Sequence, residues 1–274
     1  MADSTHPPVV LILAGSDPSG GAGICADIQA VSALGAHPAP VITTLTVQDT
    51  RDAYAVEALA PDFVIAQARA VLEDLPVRAV KLGLLGTAAI GRAVAELLAG
   101  LRGVPVVIDP VLAAAGGAAL AEDALGAVYR ERLLPHASLL TPNALELERL
   151  APDAVGHDAR VAGLLALGVA AVLVKGGDEP TPEVTDVLHR DGRAPRSWCW
   201  PRRTGSFHGS GCTLASAIAA RLAHGDELEV AVDLAERFTQ RALARSWRLG
   251  RGQRIPARRP CAARAIRACA VCMR

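Results

Sequence analysis

Short apolar runs alternate with helix-spaced segments along most of the chain. Residues 9–14 are continuously apolar, the pattern of a strand buried on both faces. A glycine-rich loop follows, and residues 24–34 carry helical spacing. Residues 41–47 predict a Thr-rich, β-branched strand. Residues 61–75 predict an amphipathic helix with Phe63, Ala66, Ala70 and Val71 on one side. Residues 77–82 read as a strand and 88–99 as a helix. A strand over 104–108 stops at Asp109-Pro110, and 123–134 is helical. Residues 139–141 form a short strand, Pro142 opens another helical segment, and a strand over 171–175 ends in Gly176-Gly177. This alternation predicts an α/β fold with a mostly parallel sheet between two layers of helices.

The pattern then changes. Apolar segments 184–188 and 197–200 flank Asp191-Gly192, a hairpin signal, so an antiparallel addition is expected. Trp198 and Trp200 are one residue apart and share a strand face, as packing residues do. Residues 205–211 lead into a small-residue helix over 212–223, and 229–247 predicts a further helix. Periodicity fades beyond about residue 250. Residues 1–256 are therefore expected to be one domain, and 257–274 a basic, Cys-containing tail that is solvated and disordered.

The chain has 274 residues, 51% hydrophobic and 20% charged, enough to build a substantial core and to exclude global disorder. With aromatics at 3%, that core must be aliphatic. Formal net charge is zero, so nothing draws the protein as a whole to nucleic acid or an anionic membrane. No apolar run has the length of a membrane span and no signal segment is visible, so a cytoplasmic location is expected. The six cysteines are scattered and read as buried or functional thiols rather than as disulfides or a zinc site. Charge is uneven: residues 241–274 hold ten Arg and no Asp or Glu.

Four groups of residues carry candidate chemistry. The loop from Gly15 to Gly23 has closely spaced glycines at a strand's carboxyl end, where backbone can approach a ligand. It lacks the Gly-Lys-Ser/Thr of a Walker loop and fits the dinucleotide pattern only loosely. Asp27, in the first turn of the next helix, either offsets the helix dipole or faces a ligand. The second group, Phe207 to Thr213, opens a helix. Backbone N–H groups of Gly209, Ser210 and Gly211 form an anion cradle there, and the helix dipole should depress the pKa of Cys212. A base beside an anion site suits phosphoryl transfer to a hydroxyl; His208 either orients the loop or packs. Third, Asn143 and Glu146 are three apart on one helical face and suit water and Mg²⁺ around a nucleotide, or only an exposed helix start. Fourth, Gln48, Asp109 and Lys175 follow strands and converge on the crevice of an α/β sheet.

In order, these motifs resemble the ribokinase-like superfamily, and more closely its hydroxymethylpyrimidine/phosphomethylpyrimidine kinases of thiamine biosynthesis. The resemblance rests on residues 14–24 with Ala26-Asp27, on 41–50, Lys81-Leu82-Gly83, Asp109-Pro110-Val111, 141–146, 174–177 and 208–214, and spans about 9–256. It implies a three-layer fold and ATP-dependent phosphorylation of 4-amino-5-hydroxymethyl-2-methylpyrimidine, then of its monophosphate. It implies that Gly15, Asp27, Gln48 and Val111 hold the pyrimidine and that Gly209, Ser210 and Gly211 form the anion hole. Cys212 would take the hydroxyl proton, where related sugar kinases use Asp. Asn143, Lys175 and Thr204 would serve ATP, Glu146 and Asp109 would serve Mg²⁺, and a homodimer is implied. Ser210 stands where Thr is commoner, and Phe207 where a small polar residue is usual. Ala113-Ala114-Ala115 replaces a family Lys followed by Ser-Gly, removing a phosphate contact.

Three rival readings are distinguishable. A pyridoxal or pyridoxine kinase of the same superfamily would take a similar hydroxymethyl heteroaromatic. A non-catalytic pyrimidine sensor would bind without turnover, against which Cys212 and Glu146 argue. A dinucleotide-dependent oxidoreductase would use residues 21–26 and leave the 209–212 cradle unexplained.

Overall fold

A computed structural model describes residues 6–112, 121–122 and 124–260. The Ala113-Ala114-Ala115 replacement and Cys261, Cys269 and Cys272 lie outside them. In chain order the elements are β1 (Val9–Ser16), α1 (Gly23–Ala33), β2 (His37–Gln48), β3 (Ala53–Ala58), α2 (Pro61–Asp74), β4 (Val77–Leu82), α3 (Ala88–Ala99), β5 (Val106–Ile108) and α4 (Leu125–Val128). Then follow β6 (Leu139–Leu140), α5 (Ala144–Leu150), α6 (His157–Ala166), β7 (Val172–Val174), β8 (Glu183–His189), β9 (Arg196–Pro201), α7 (Ser210–Ala223) and α8 (Leu228–Ala244).

One sheet contains all these strands, in the order β3-β2-β1-β4-β5-β6-β7-β8-β9. From β2 to β7 every pairing is parallel; β3 on one edge and the β8–β9 hairpin on the other are antiparallel. Alternation along β1 builds two cores. Leu11 and Leu13 meet Val64, Ile90, Val94, Leu147 and Leu164 of α2, α3, α5 and α6. Val10, Ile12 and Ala14 meet Ile24, Ile218, Val232 and Phe238 of α1, α7 and α8. Each such fully buried aliphatic side chain contributes about 1.5–3 kcal/mol. The expected three-layer α/β arrangement is present, with an aliphatic core.

Several local expectations are corrected. The buried face of α2 is Val64 and Ala68, four residues apart, whereas Phe63 is 61% exposed and Ala66 and Ala70 face water. The expected helix over 123–134 is α4, followed by a π-helical turn Tyr129–Leu133 and a 3-10 turn Leu134–His136. Pro135 has no N–H to continue an α-helix there. Two elements escaped the pattern. β3 returns from β2 through a turn in which Asp49 Oδ1 accepts from the backbone of Arg51 and Asp52, and α6 follows Gly156.

The last helix stops at Ala244, and the chain then turns back as a strap. Trp247 and Ile255 exchange backbone hydrogen bonds of 2.9 and 2.8 Å, Arg254 pairs with Ser206 and His208, and Gln253 N donates to Thr50 O at 2.7 Å. Ala257 N donates to Ala242 O, and both Ala257 and Arg258 are buried. The packed body therefore continues through Arg258, beyond the expected boundary at 256.

Candidate active site

The carboxyl ends of β1, β2, β5 and β7 supply the site, as the parallel topology requires. After β1 the loop is organised by Asp17, which is 2% exposed. Its carboxylate accepts from Ser19 N and Oγ (both 2.8 Å), Gly21 N (3.1 Å) and Ala22 N (2.8 Å). His208 Nε2 lies 2.9 Å from Asp17 Oδ2 and 3.1 Å from Gln48 Nε2. Burial pushes the Asp17 carboxyl up, but the His208, Ser19 and Ala22 hydrogen bonds outweigh it and hold it below the ordinary value. Thus His208, donating from Nε2 to Asp17, orients the loop, and Gln48 lies beside the same nitrogen; Asp17 is a structural carboxylate that motif reading does not single out. A Cβ on Gly15 would meet Thr44 Oγ1 at 2.4 Å and Leu84 at 2.9 Å. Val111 packs against the small apolar cluster of Ala53 and Leu84, next to Gly15.

The second loop meets the first at Gly209. Its φ is +76°, and a Cβ there would lie 2.2 Å from Gly21 O, so only glycine lets the loops touch. Gly209 caps α7, whose first residues are Ser210, Gly211 and Cys212. Their N–H groups have no intrahelical acceptor, which is the geometry an anion cradle needs. The expected depressed thiol at Cys212 is contradicted. Burial pushes it up to about 12; Lys81 opposes this, while Asp109 and Asp27 add to it. Desolvation and two neighbouring carboxylates outweigh the helix dipole.

Asp27 is also relocated. It lies beyond the first turn of α1, fully buried. Its carboxylate accepts from Lys81 Nζ at 2.8 Å and Ser216 Oγ at 2.7 Å. Both oxygens are occupied beneath the site, so Asp27 does not present an open acceptor to a pyrimidine. Burial pulls the Lys81 ammonium down, but Asp27, Cys212 and Asp109 hold it above its ordinary value.

The third cluster lies at the ends of β5 and β7. Lys175 Nζ is 2.8 Å from Asp109 Oδ1 and 3.7 Å from Glu146 Oε2. Thr141 Oγ1 donates to Asp109 at 3.3 Å. Asn143 and Glu146 form a reciprocal capping box at α5: Asn143 Oδ1 accepts from Glu146 N at 2.8 Å, and Glu146 Oε2 from Asn143 N at 2.9 Å. Burial raises Glu146 to about 7, Lys175 opposes it and Asp109 reinforces it. Asp109 is held below its ordinary value, because Lys175 and Lys81 overcome its burial. A Cβ on Gly211 would meet Lys175 Nζ at 3.1 Å and Asp109 at 3.7 Å, so the anion cradle sits directly over this charged cluster.

Gly15, Gln48, Val111, Asp109, Asn143, Glu146, Lys175 and Gly209–Cys212 are thereby gathered at one end of the sheet. Thr204 is exposed on the β9–α7 loop and hydrogen-bonds to none of them among the described residues. The arrangement places anion-binding backbone, a cationic side chain and two carboxylates around one spot, the inventory of a phosphoryl-transfer site.

Comparison with known proteins agrees with that chemistry. The family model for phosphomethylpyrimidine kinase matches residues 17–257. Hydroxymethylpyrimidine/phosphomethylpyrimidine kinases of Streptomyces coelicolor and Synechococcus elongatus are 41% and 40% identical, each over 90% of this chain and 92% and 95% of theirs. The thiamine biosynthesis bifunctional protein of Geobacter sulfurreducens is 42% identical over 89% of this chain, which spans only 50% of that relative. Among solved structures, a Staphylococcus aureus pyridoxal kinase in complex with AMP-PCP and pyridoxal superposes with a TM-score of 0.82 at 26% identity, covering 92% of this chain and 94% of that one. A Clostridium difficile phosphomethylpyrimidine kinase gives 0.74 at 33% identity, over 86% and 99%. By sequence over most of its length and by fold, this chain belongs to the phosphomethylpyrimidine kinase family.

Proposed function

We propose that the protein transfers the γ-phosphoryl group of ATP to the hydroxymethyl oxygen of 4-amino-5-hydroxymethyl-2-methylpyrimidine, and then phosphorylates the monophosphate to the diphosphate. The observation that carries this reading is the placement of Gly211 beside Lys175 and Asp109, where a Cβ would come within 3.1 Å of Lys175 Nζ and 3.7 Å of Asp109 Oδ1. In the transfer, the substrate oxygen bonds to the γ-phosphorus, the bond to the β–γ bridging oxygen breaks, and ADP leaves. N–H groups of Gly209, Ser210 and Gly211 stabilise charge on the transferring oxygens, and Lys175 neutralises the nucleotide phosphates. Cys212 receives the hydroxyl proton, which it can do only as thiolate. Gln48 bonds the aminopyrimidine edge, with Gly15 and Val111 lining its face.

Asp109 and Glu146 supply hard oxygen donors suited to Mg²⁺, and the buried Tyr129 hydroxyl nearby has no hydrogen-bond partner among the described residues, which fits a hydrated ion beside it. When bound, Mg²⁺ neutralises phosphate charge. Asn143 keeps Glu146 aimed there through the capping box. We also infer a homodimer working in the cytoplasm. Supporting the dimer, Leu45 and Val47 of β2 alternate onto one face and are 46% and 61% exposed.

Phosphorus NMR of the protein with MgATP and the hydroxymethylpyrimidine tests the reading, with pyridoxal in a parallel tube. Monophosphate followed by diphosphate is the expected result. Pyridoxal phosphate without any pyrimidine product would replace the substrate assignment.

A further inference from the structure

The strap ends on an arginine that no motif predicts. Arg258 is 5% exposed, and its guanidinium is divided among neutral acceptors. Nε donates to Thr213 Oγ1 at 2.7 Å and Nη1 to Gln29 Oε1 at 3.3 Å. Nη2 donates to the carbonyls of Gly21 (2.6 Å), Gly209 (3.2 Å) and His208 (3.3 Å). Among the described residues no carboxylate pairs with it. A buried cation satisfied only by carbonyls and a hydroxyl keeps its positive potential for whatever lies beyond them.

What lies beyond is the anion cradle. In a trans peptide the C=O of one residue and the N–H of the next point in opposite directions. Gly209 O also accepts from Thr213 N at 3.0 Å and Thr213 Oγ1 at 2.6 Å, and with the His208 and Gly209 carbonyls held on the Arg258 side the Gly209 and Ser210 N–H groups turn away from it. The same guanidinium grips Gly21 O, locking the first glycine loop to the second. We propose that Arg258 is a positioning residue of the anion hole: its fork sets the direction of the Gly209 and Ser210 N–H groups and its charge strengthens their pull on the transferring phosphoryl group. This rests on the kinase reading above.

The test uses full-length Arg258→Gln and Arg258→Lys. Product formation by the wild type from MgATP and the pyrimidine checks the kinase reading separately; its absence would sink that reading, not the placement of Arg258. Removing one oxyanion donor lowers turnover by about 10²–10³-fold in other enzymes. For Arg258→Gln a loss of about 10²-fold in kcat is expected, with KM for ATP changed less than about threefold. Affinity for MgADP with aluminium fluoride, a mimic of the transferring group, should fall at least about tenfold while that for MgADP holds. Added guanidinium should restore part of the turnover. Lysine keeps the charge but not the fork and should remain at least about tenfold slow. A kcat for Arg258→Gln within about threefold of wild type, or full recovery with lysine, overturns the proposal. Should Arg258→Gln fail to fold, Thr213→Val removes both the Nε acceptor and the hydroxyl that donates to Gly209 O; an unchanged kcat there overturns it too.

Discussion

The raised thiol of Cys212 makes the proposed base role unusually open to test. With the thiol at about 12, the thiolate is about 10⁻⁴ of the population at pH 8 and grows tenfold with each pH unit. If proton removal needs that thiolate, the single-turnover rate constant should climb with unit slope in log rate. Between pH 7.5 and 9.5 it should rise about 100-fold. Glu146, raised to about 7, shapes the profile mainly at lower pH. Cys212→Ala should lose about 10²–10⁴-fold, or about 3–5 kcal/mol of barrier, as removal of a general base does. Cys212→Asp supplies a base already ionised at neutral pH and should flatten the alkaline limb. The assay is quench-flow with excess enzyme, so that product release does not mask the chemical step. A flat wild-type profile over this range, or Cys212→Ala within about threefold of wild type, would show that the sulfur is not the base. The hydroxyl proton would then leave by another route, with Cys212 only packing beneath the cradle.

Three further outcomes are expected. Gln48→Ala should weaken the pyrimidine and leave ATP binding nearly unchanged by calorimetry; equal losses for both would mean that Gln48 does not face the pyrimidine. Gly209→Ala forces a Cβ to within 2.2 Å of Gly21 O at a φ of +76°, so a fall in both melting temperature and turnover is expected, and normal values would refute the loop contact. Burial, reinforced by Asp186, holds the Glu236 carboxyl well above the ordinary value, so the folded protein keeps a proton that the unfolded chain loses. Stability should then decline as pH rises from about 4.5 toward the folded value. Glu236→Gln keeps a donor for Asp186 and an acceptor for the Trp200 indole N–H, which is 3.0 Å from Glu236 Oε2. Its melting temperature should be less sensitive to pH between 5 and 8, and parallel curves for the two proteins would refute the shared proton.

What the sequence reveals divides along physical lines. Residues 77–82 and 88–99 coincide with β4 and α3 because a doubly buried strand and a strongly amphipathic helix each leave a pattern in a short window. β3 leaves none: only Ala53 is buried in it, and it is ordered by pairing with β2 and by the Asp49 turn. Hydrophobicity alone misplaces the face of α2, because Phe63 outweighs Val64 in any count, yet the helix packs through its smaller side chains. Among the candidate site residues, those in glycine loops or at strand ends, Gly15, Gln48, Asp109, Lys175 and Gly209–Gly211, lie where the sequence pattern puts them. The states of Asp27 and Cys212 are not legible in the sequence, because they depend on burial, on Lys81 and on neighbouring carboxylates, brought together only by the sheet. Arg258 resembles every other arginine of the basic end until Gly21, His208 and Gly209 surround it.

Sequence separation gives the strap another meaning. The Arg258–Gly21 hydrogen bond joins residues 237 apart, and the Gly252–Thr50 bond joins residues 202 apart. Loop-closure entropy penalises contacts this remote, and chains dominated by them fold slowly. The glycine loops can be correctly shaped only after the sheet, α7 and α8 are in place for the strap to run over. Order of assembly thus separates structure from competence: an intermediate with its sheet complete would pass as folded by circular dichroism while its anion hole remained unset. Recovery of turnover on refolding should lag recovery of ellipticity, and that interval would measure how long the two distant ends of this fold take to meet.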